Sequence, residues 1–202
     1  MPVPGQLREL LKEWAQIQAN PISERALAAR MATEATTWIN AAHVQHRRVT
    51  APVGEPGEQV WRQEIDLHFL LVALIRLRRS VDLATRVPRL QTSLRDRLAE
   101  FDKELPSLAL LRNVAEHFDD YTVNEGRRSE IKRHQLQVWS LGADDDGLVW
   151  RWLGVEFNVE VAHRAATKLY RGFHADLARY SATDTVRSTE AEAALRPGPD
   201  EL

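Results

Sequence analysis

A mainly α-helical bundle of five to six helices with a short appended β-hairpin is the fold this sequence predicts, on three observations. Apolar residues recur at spacings of three and four through the first two-thirds of the 202 residues. Two short runs rich in aromatic and β-branched residues then flank Asp144-Asp145-Asp146-Gly147, a hairpin signal. Cysteine is absent, which excludes disulfide scaffolds, thiolate metal sites, iron–sulfur clusters and cysteine nucleophiles as organising features.

The elements follow in order. Leu7, Leu10, Leu11, Trp14 and Ile17 predict a first helix over about Gln6 to Ala19. Asn20-Pro21 reads as a cap followed by proline in the first turn of a second helix reaching about His46, with Leu27, Met31, Ala35, Trp38 and Ala42 on its apolar side. The Pro/Gly loop 51–57 stops it. A third helix, about Glu58 to Arg86, is the most apolar and is expected at the centre of the core. Trp61, Ile65, Val72 and Ile75 form one stripe there, widened by Leu67, Leu70, Leu71, Leu74 and Leu77. Pro88 opens a fourth helix to Leu105, and after Pro106-Ser107 a fifth runs to about Asn124. The hairpin is expected at about 135–153, and Asn158 is placed to cap a last helix to about Tyr180. Residues 1–181 thus read as one domain, and 182–202, which lack an apolar period and carry five acids, as a disordered acidic tail.

Composition bounds the function classes. The chain is 44% hydrophobic and 28% charged, with a formal charge of −2, so a surface coated for polyanions is excluded while a local basic patch is not. The longest apolar run, Phe69 to Ile75, is far short of the ~20 residues of a membrane span. With no basic-then-apolar leader pattern at the start, the expectation is a cytoplasmic protein with no membrane partner. Neither a glycine-rich phosphate loop nor a serine nucleophile elbow is present.

The chemistry concentrates on the fifth helix, Leu108 to Tyr121. At 100° per residue, Leu108, Leu111, Val114, Ala115 and Phe118 define a buried arc, while Asn113, His117 and Asp120 share a second stripe. Arg112 lies about 140° around the wheel from His117, so one helix does not aim both at one atom. Either the long arginine wraps over the helix or two copies of the helix pool their residues. An imidazole that titrates near neutrality and a permanent guanidinium are the parts needed to cleave an RNA phosphodiester without metal. An ordinary solvated helix face is the competing reading of the same residues.

Arg112-Asn113, three residues, then His117 resembles the signature of HEPN domains, which set it on a late helix of an all-α bundle. The resemblance covers about residues 6 to 125. It implies a metal-independent endoribonuclease of the RNA-processing, defence or toxin type, working as a homodimer whose motif helices line a shared cleft. It further implies that Arg112 stabilises the phosphate, Asn113 orients, His117 moves the proton, and an antitoxin or regulatory protein restrains the activity. Asp119 stands where toxin-type members often carry tyrosine, and Tyr121 follows two places on. Some members are non-catalytic interaction modules, the alternative reading for this chain.

Other features weigh less. Arg127, Arg128, Lys132, Arg133 and His134 form a basic cluster suited to tracking an RNA backbone. His68 lies on the Trp61 stripe of the third helix, as a core histidine or a group aimed at the cleft. Trp139, Trp150 and Trp152 either stack bases or pack the hairpin onto the bundle. His43 and His46 are three apart on one helix, with His68, Glu116, His117 and Asp120 as further potential ligands. No repeated Glu-x-x-His and no His-Glu-x-x-His accompanies them, so neither metal nor other cofactor is expected.

Overall fold

The computed structural model describes residues 8–9, 22–52 and 56–194. Over residues 22–194 it is mainly α-helical, with six helices and a small antiparallel sheet. The helix expected over Gln6 to Ala19 lies outside the described residues except for Arg8 and Glu9, which are helical. The Asn20-Pro21 cap lies outside them too. Instead Ser23 caps α1 (Glu24–Thr50), its hydroxyl accepting from the Ala26 N–H at 3.2 Å. Ala28, Met31, Ala35, Ile39, Ala42 and Val49 are the buried face of α1, and its alanines let the next helix approach closely.

That neighbour is α2 (Pro56–Ala84), which returns antiparallel to α1. Gln63 Nε2 donates to the Val49 carbonyl at 2.8 Å near the loop, and the Arg76 guanidinium lies 5.7 Å over the Trp38 ring further along. The expectation that α2 is central holds, because it packs against α1, α3, α4 and α6. Its expected core stripe is corrected. Leu67, Leu70, Leu71, Leu74, Leu77 and Val81 are the side that is buried, each fully buried leucine being worth about 1.5–3 kcal/mol. Trp61, Ile65 and Phe69 face outward at 69%, 53% and 57% exposure, with Val72 and Ile75 half-buried. A helix apolar over more than half its circumference can bury only the side its neighbours cover, and periodicity does not choose that side.

Helix α3 (Gln91–Glu104) begins after a run of turns rather than at Pro88. The fifth predicted helix is broken in two, α4 (Leu108–Glu116) and α5 (Phe118–Thr122), with His117 at φ −116°, ψ 32° between them. The break re-phases the buried arc. Leu108, Leu111 and Val114 are buried as expected, but Phe118 is 42% exposed and Tyr121 takes its place in the core. Gly126 is required beneath it, since a Cβ there would collide with the Tyr121 ring.

A 3₁₀ turn at Arg133–Gln137 occupies the start of the expected hairpin. Strands β1 (Trp139–Asp144) and β2 (Gly147–Trp152) form the hairpin itself, and β3 (Val155–Asn158) extends it to three antiparallel strands in the order β1-β2-β3. The strand missed in the sequence follows a two-residue turn, Leu153 (φ 55°) and Gly154 (φ 74°), the left-handed pair of a tight hairpin connection. Trp150 and Trp152 stack at 5.1 Å, both buried, so they pack the sheet onto the bundle and are closed to bases. His68 meets both rings edge-on, at 5.5 and 5.7 Å, rather than facing the cleft described below.

Asn158 caps α6 (Val159–Ala194) as expected, its Oδ1 accepting from the Val161 N–H at 2.9 Å. The helix runs past Tyr180 through Ala194, while 195–202 of the expected tail lie outside the described residues. Along α6, Asp176 is buried and takes Arg97 Nε of α3 at 2.6 Å, with Arg179 closing on its other oxygen. Among the described residues no helix is long and apolar enough to cross a membrane.

Candidate functional site

Helix α4 supplies the motif residues, and its geometry sends them to different neighbours. Leu108, Leu111 and Val114 hold it against the core, chiefly against α2. Arg112, on the flank of that arc, turns toward α2 and pairs with Glu116 one turn along its own helix. Its Nε is buried without a hydrogen-bond partner. Arg79 and Arg76 of α2 stand close enough that, after burial itself, their charges are the next causes lowering the Arg112 pKa below its ordinary value. Three guanidinium charges therefore act on one another here, and Glu116 pairs with Arg112 alone among them.

A cleft of about 330 Å³ opens beside this group, lined by Ile75, Arg79, Leu108, Ala109, Arg112 and Asn113 among others. Arg78 and Asp102 close one wall as a two-pronged pair at 2.6 Å on each prong. Such a pair is satisfied by itself, whereas Arg79 is exposed and has no acidic partner among the described residues. The free positive charge lining the cleft thus resides at Arg79, with Arg112 behind it and the charge of Arg76 acting on Arg112 from the same helix as Arg79. Phosphate oxygens accept from guanidinium forks, so this is chemistry that fits an anionic ester.

Asn113 does not join His117. Its Nδ2 donates to the Tyr121 hydroxyl at 3.0 Å, a bond that braces α4 against α5 across the break. His117 sits at that break, 42% exposed, with Nδ1 3.4 Å from Asp120 Oδ2. The His117–Asp120 half of the expected stripe is therefore formed, the Asn113 half is not, and Arg112 points elsewhere. Backbone continuity survives, since the His117 N–H reaches the Asn113 carbonyl at 3.1 Å and the Tyr121 N–H reaches the His117 carbonyl at 3.2 Å.

The basic cluster is exposed on the segment that follows α5. Arg128 lies 3.5 Å from Glu130, and Lys132 Nζ is held by the Ser129 carbonyl at 2.6 Å. Arg127 and Arg133 carry no acidic partner among the described residues. The contribution that sequence reasoning passed over is Arg76 beside Arg79. Their i, i+3 spacing on one side of α2 was readable, but nothing linked that side to Arg112, more than thirty residues on. Comparison of the chain with family models, with curated proteins and with solved structures finds no match.

Proposed function

We propose that the protein is a metal-independent endoribonuclease of HEPN type, acting as a homodimer on RNA. The observation that carries the reading is the meeting of Arg79 and Arg112 at an open cleft, with the charge of Arg76 acting on Arg112 from the same helix as Arg79, little more than a helical turn from the half-exposed His117. In this reading a phosphate displaces Glu116 from Arg112 and takes two guanidiniums in its place. His117 withdraws the proton of the 2′-hydroxyl, whose oxygen attacks phosphorus and expels the 5′-oxygen. The arginines hold the charge that grows on the non-bridging oxygens, and the leaving oxygen collects a proton. A 2′,3′-cyclic phosphate and a 5′-hydroxyl result. Arg112 and His117 diverge on one chain, so Arg112 of one protomer and His117 of the partner subunit meet across the two-fold. The exposed Phe118 and the outward Trp61, Ile65 and Phe69, on the same side of α2 as Arg76 and Arg79, give apolar surface for such a contact. Arg127, Arg128, Lys132 and Arg133 guide the backbone.

One observation favours a second reading, a non-catalytic interaction module: Arg112 is already neutralised by Glu116. Cleavage of a mixed RNA pool, read for cyclic phosphate ends, separates the two. Wild type produces such ends, in EDTA as well as without it, and His117→Ala and Arg112→Lys do not. A wild-type protein without cleavage sinks the nuclease, and a strict monomer in sedimentation at micromolar concentration sinks the pooled site.

A further inference from the structure

Histidines converge where α1 meets the beginning of α6. His46 of α1 and Glu160 of α6 meet at 2.8 Å between Nε2 and Oε1. His163, three residues after Glu160 on the same face of α6, stacks on His46 with ring centres 4.0 Å apart and planes 15° from parallel. His43, three residues before His46, stands edge-on to His163 at 4.9 Å and reaches Thr167 Oγ1 with Nε2 at 3.5 Å. Two i, i+3 pairs from helices more than a hundred residues apart in sequence thus face each other.

From this geometry we propose that His46, Glu160 and His163 bind a first-row transition-metal ion, Zn²⁺ foremost, with solvent in the fourth position. The candidate ligand atoms all lie within 4.8 Å of one another. A tetrahedral ion with bonds of about 2.0–2.1 Å needs ligand atoms about 3.3 Å apart, so closure by roughly 1.5 Å at the widest pair suffices. The movement required is specific. His163 tilts out of its stack on His46 so that both lone pairs aim at one point, and the hydrogen bond between His46 and Glu160 is given up as the ion enters. Imidazole and carboxylate are donors that suit Zn²⁺, with Co²⁺ as a weaker occupant. All three residues are half-buried, which leaves an entry path. Glu160 offsets the positive charge of the ion against Arg47 and Arg171, whose charges act on the neighbouring His43.

The fold prepares the site from a third direction. Gly147, at φ +115° in the hairpin, lies against the stem of Glu160, and a Cβ there would meet Glu160 Cγ at 2.5 Å. The hairpin end therefore limits the swing of the carboxylate. An ion at this point ties the C-terminal half of α1 to the first turns of α6 beneath the sheet, which makes it a staple across the fold. It shares no residue with the Arg112 cleft.

The test uses the tag-free full chain, stripped with chelator and titrated with Co²⁺ as the visible probe. One Co²⁺ per chain is expected, with Kd below about 10 μM, d–d bands of a low-coordinate site, displacement by Zn²⁺ and a higher melting temperature with Zn²⁺ than without. His46→Gln and His163→Gln each weaken binding at least tenfold, while His43→Gln stays within about threefold. Circular dichroism confirms that each variant is folded. Should one of them unfold, histidine-selective NMR of the wild type replaces it, with the His46 and His163 ring signals moving on Zn²⁺ addition. No saturable Co²⁺ binding below about 100 μM overturns the proposal, as does binding unchanged in the His46→Gln/His163→Gln pair. Loss in His43→Gln equal to that in the other two overturns the three-ligand assignment.

Discussion

The motif helix and the histidine cluster are opposites. Arg112, Asn113 and His117 are neighbours in the chain and are sent to three different partners: Glu116, the Tyr121 hydroxyl and Asp120. His46, Glu160 and His163 are scattered over the chain, yet their candidate ligand atoms all lie within 4.8 Å of one another. A helix turns by 100° per residue, so closeness along it guarantees convergence only at spacings of three and four. Packing of two helices guarantees it wherever their faces meet. In the proposed reading the first region therefore needs a second molecule to assemble a composite site, whereas the second draws all its residues from one chain.

The largest expected effect separates the two regions outright. His117→Ala lowers RNA cleavage by about 10²–10⁴-fold, the usual contribution of a proton-transfer group, whereas His46→Gln leaves it within about twofold. Parallel rate measurements check this, and an equal loss in both breaks the separation.

Next in size is Gly147→Val. A β-branched residue at φ +115° is strained and collides with Glu160, so stability falls by about 1–3 kcal/mol in a denaturant melt and Co²⁺ affinity falls with it. A stability loss with unchanged Co²⁺ binding would show that the hairpin does not hold Glu160.

Ion pairs sharpen the contrast between contacts along a helix and contacts across the fold. Burial pushes the Asp176 carboxyl up, but hydrogen bonds and charge from Arg97 and Arg179 outweigh it and hold the pKa below its ordinary 3.8. A depressed carboxyl stabilises the fold above that value and loses its contribution as pH falls through the lower, folded one. Asp176→Asn is therefore expected to be less stable than wild type by about 1–3 kcal/mol at pH 7, with the gap narrowing below about pH 3.8. A gap independent of pH would refute the assignment.

The smallest effect belongs to the pair within α4. Glu116→Gln removes an i, i+4 partner worth about 0.3–0.5 kcal/mol, which melting detects as near-neutral. It also frees Arg112, so RNA affinity in a salt-controlled titration rises a few-fold. An unchanged affinity would mean that Glu116 does not restrain the arginine.

Much of the fold was legible. Helical periodicity, the Asn158 cap and the Asp-Asp-Asp-Gly turn identify α1, α2, α6 and the hairpin, because each signal is local and acts through the residues that carry it. The break at His117 was not legible, since no proline or glycine marks it and the hydrogen bonds on either side persist. Nor was β3, a strand of four residues sheltered behind a two-residue turn. At the candidate site, the divergence of Arg112 from His117 follows from the helical repeat alone, while Arg76 and Arg79 join Arg112 only through the packing of α2 on α4.

By itself, then, the sequence determined which segments are helical, where the hairpin turns, and that Arg112 and His117 point apart. These are consequences of backbone periodicity and capping, which act within a few residues. The tertiary structure alone decided which side of α2 is buried and left Trp61, Ile65 and Phe69 outside. It alone brought His46 to Glu160 and His163. A helix apolar over more than half its circumference has more than one face of similar burial free energy, and the choice between them is made by the shapes of the neighbours that cover it.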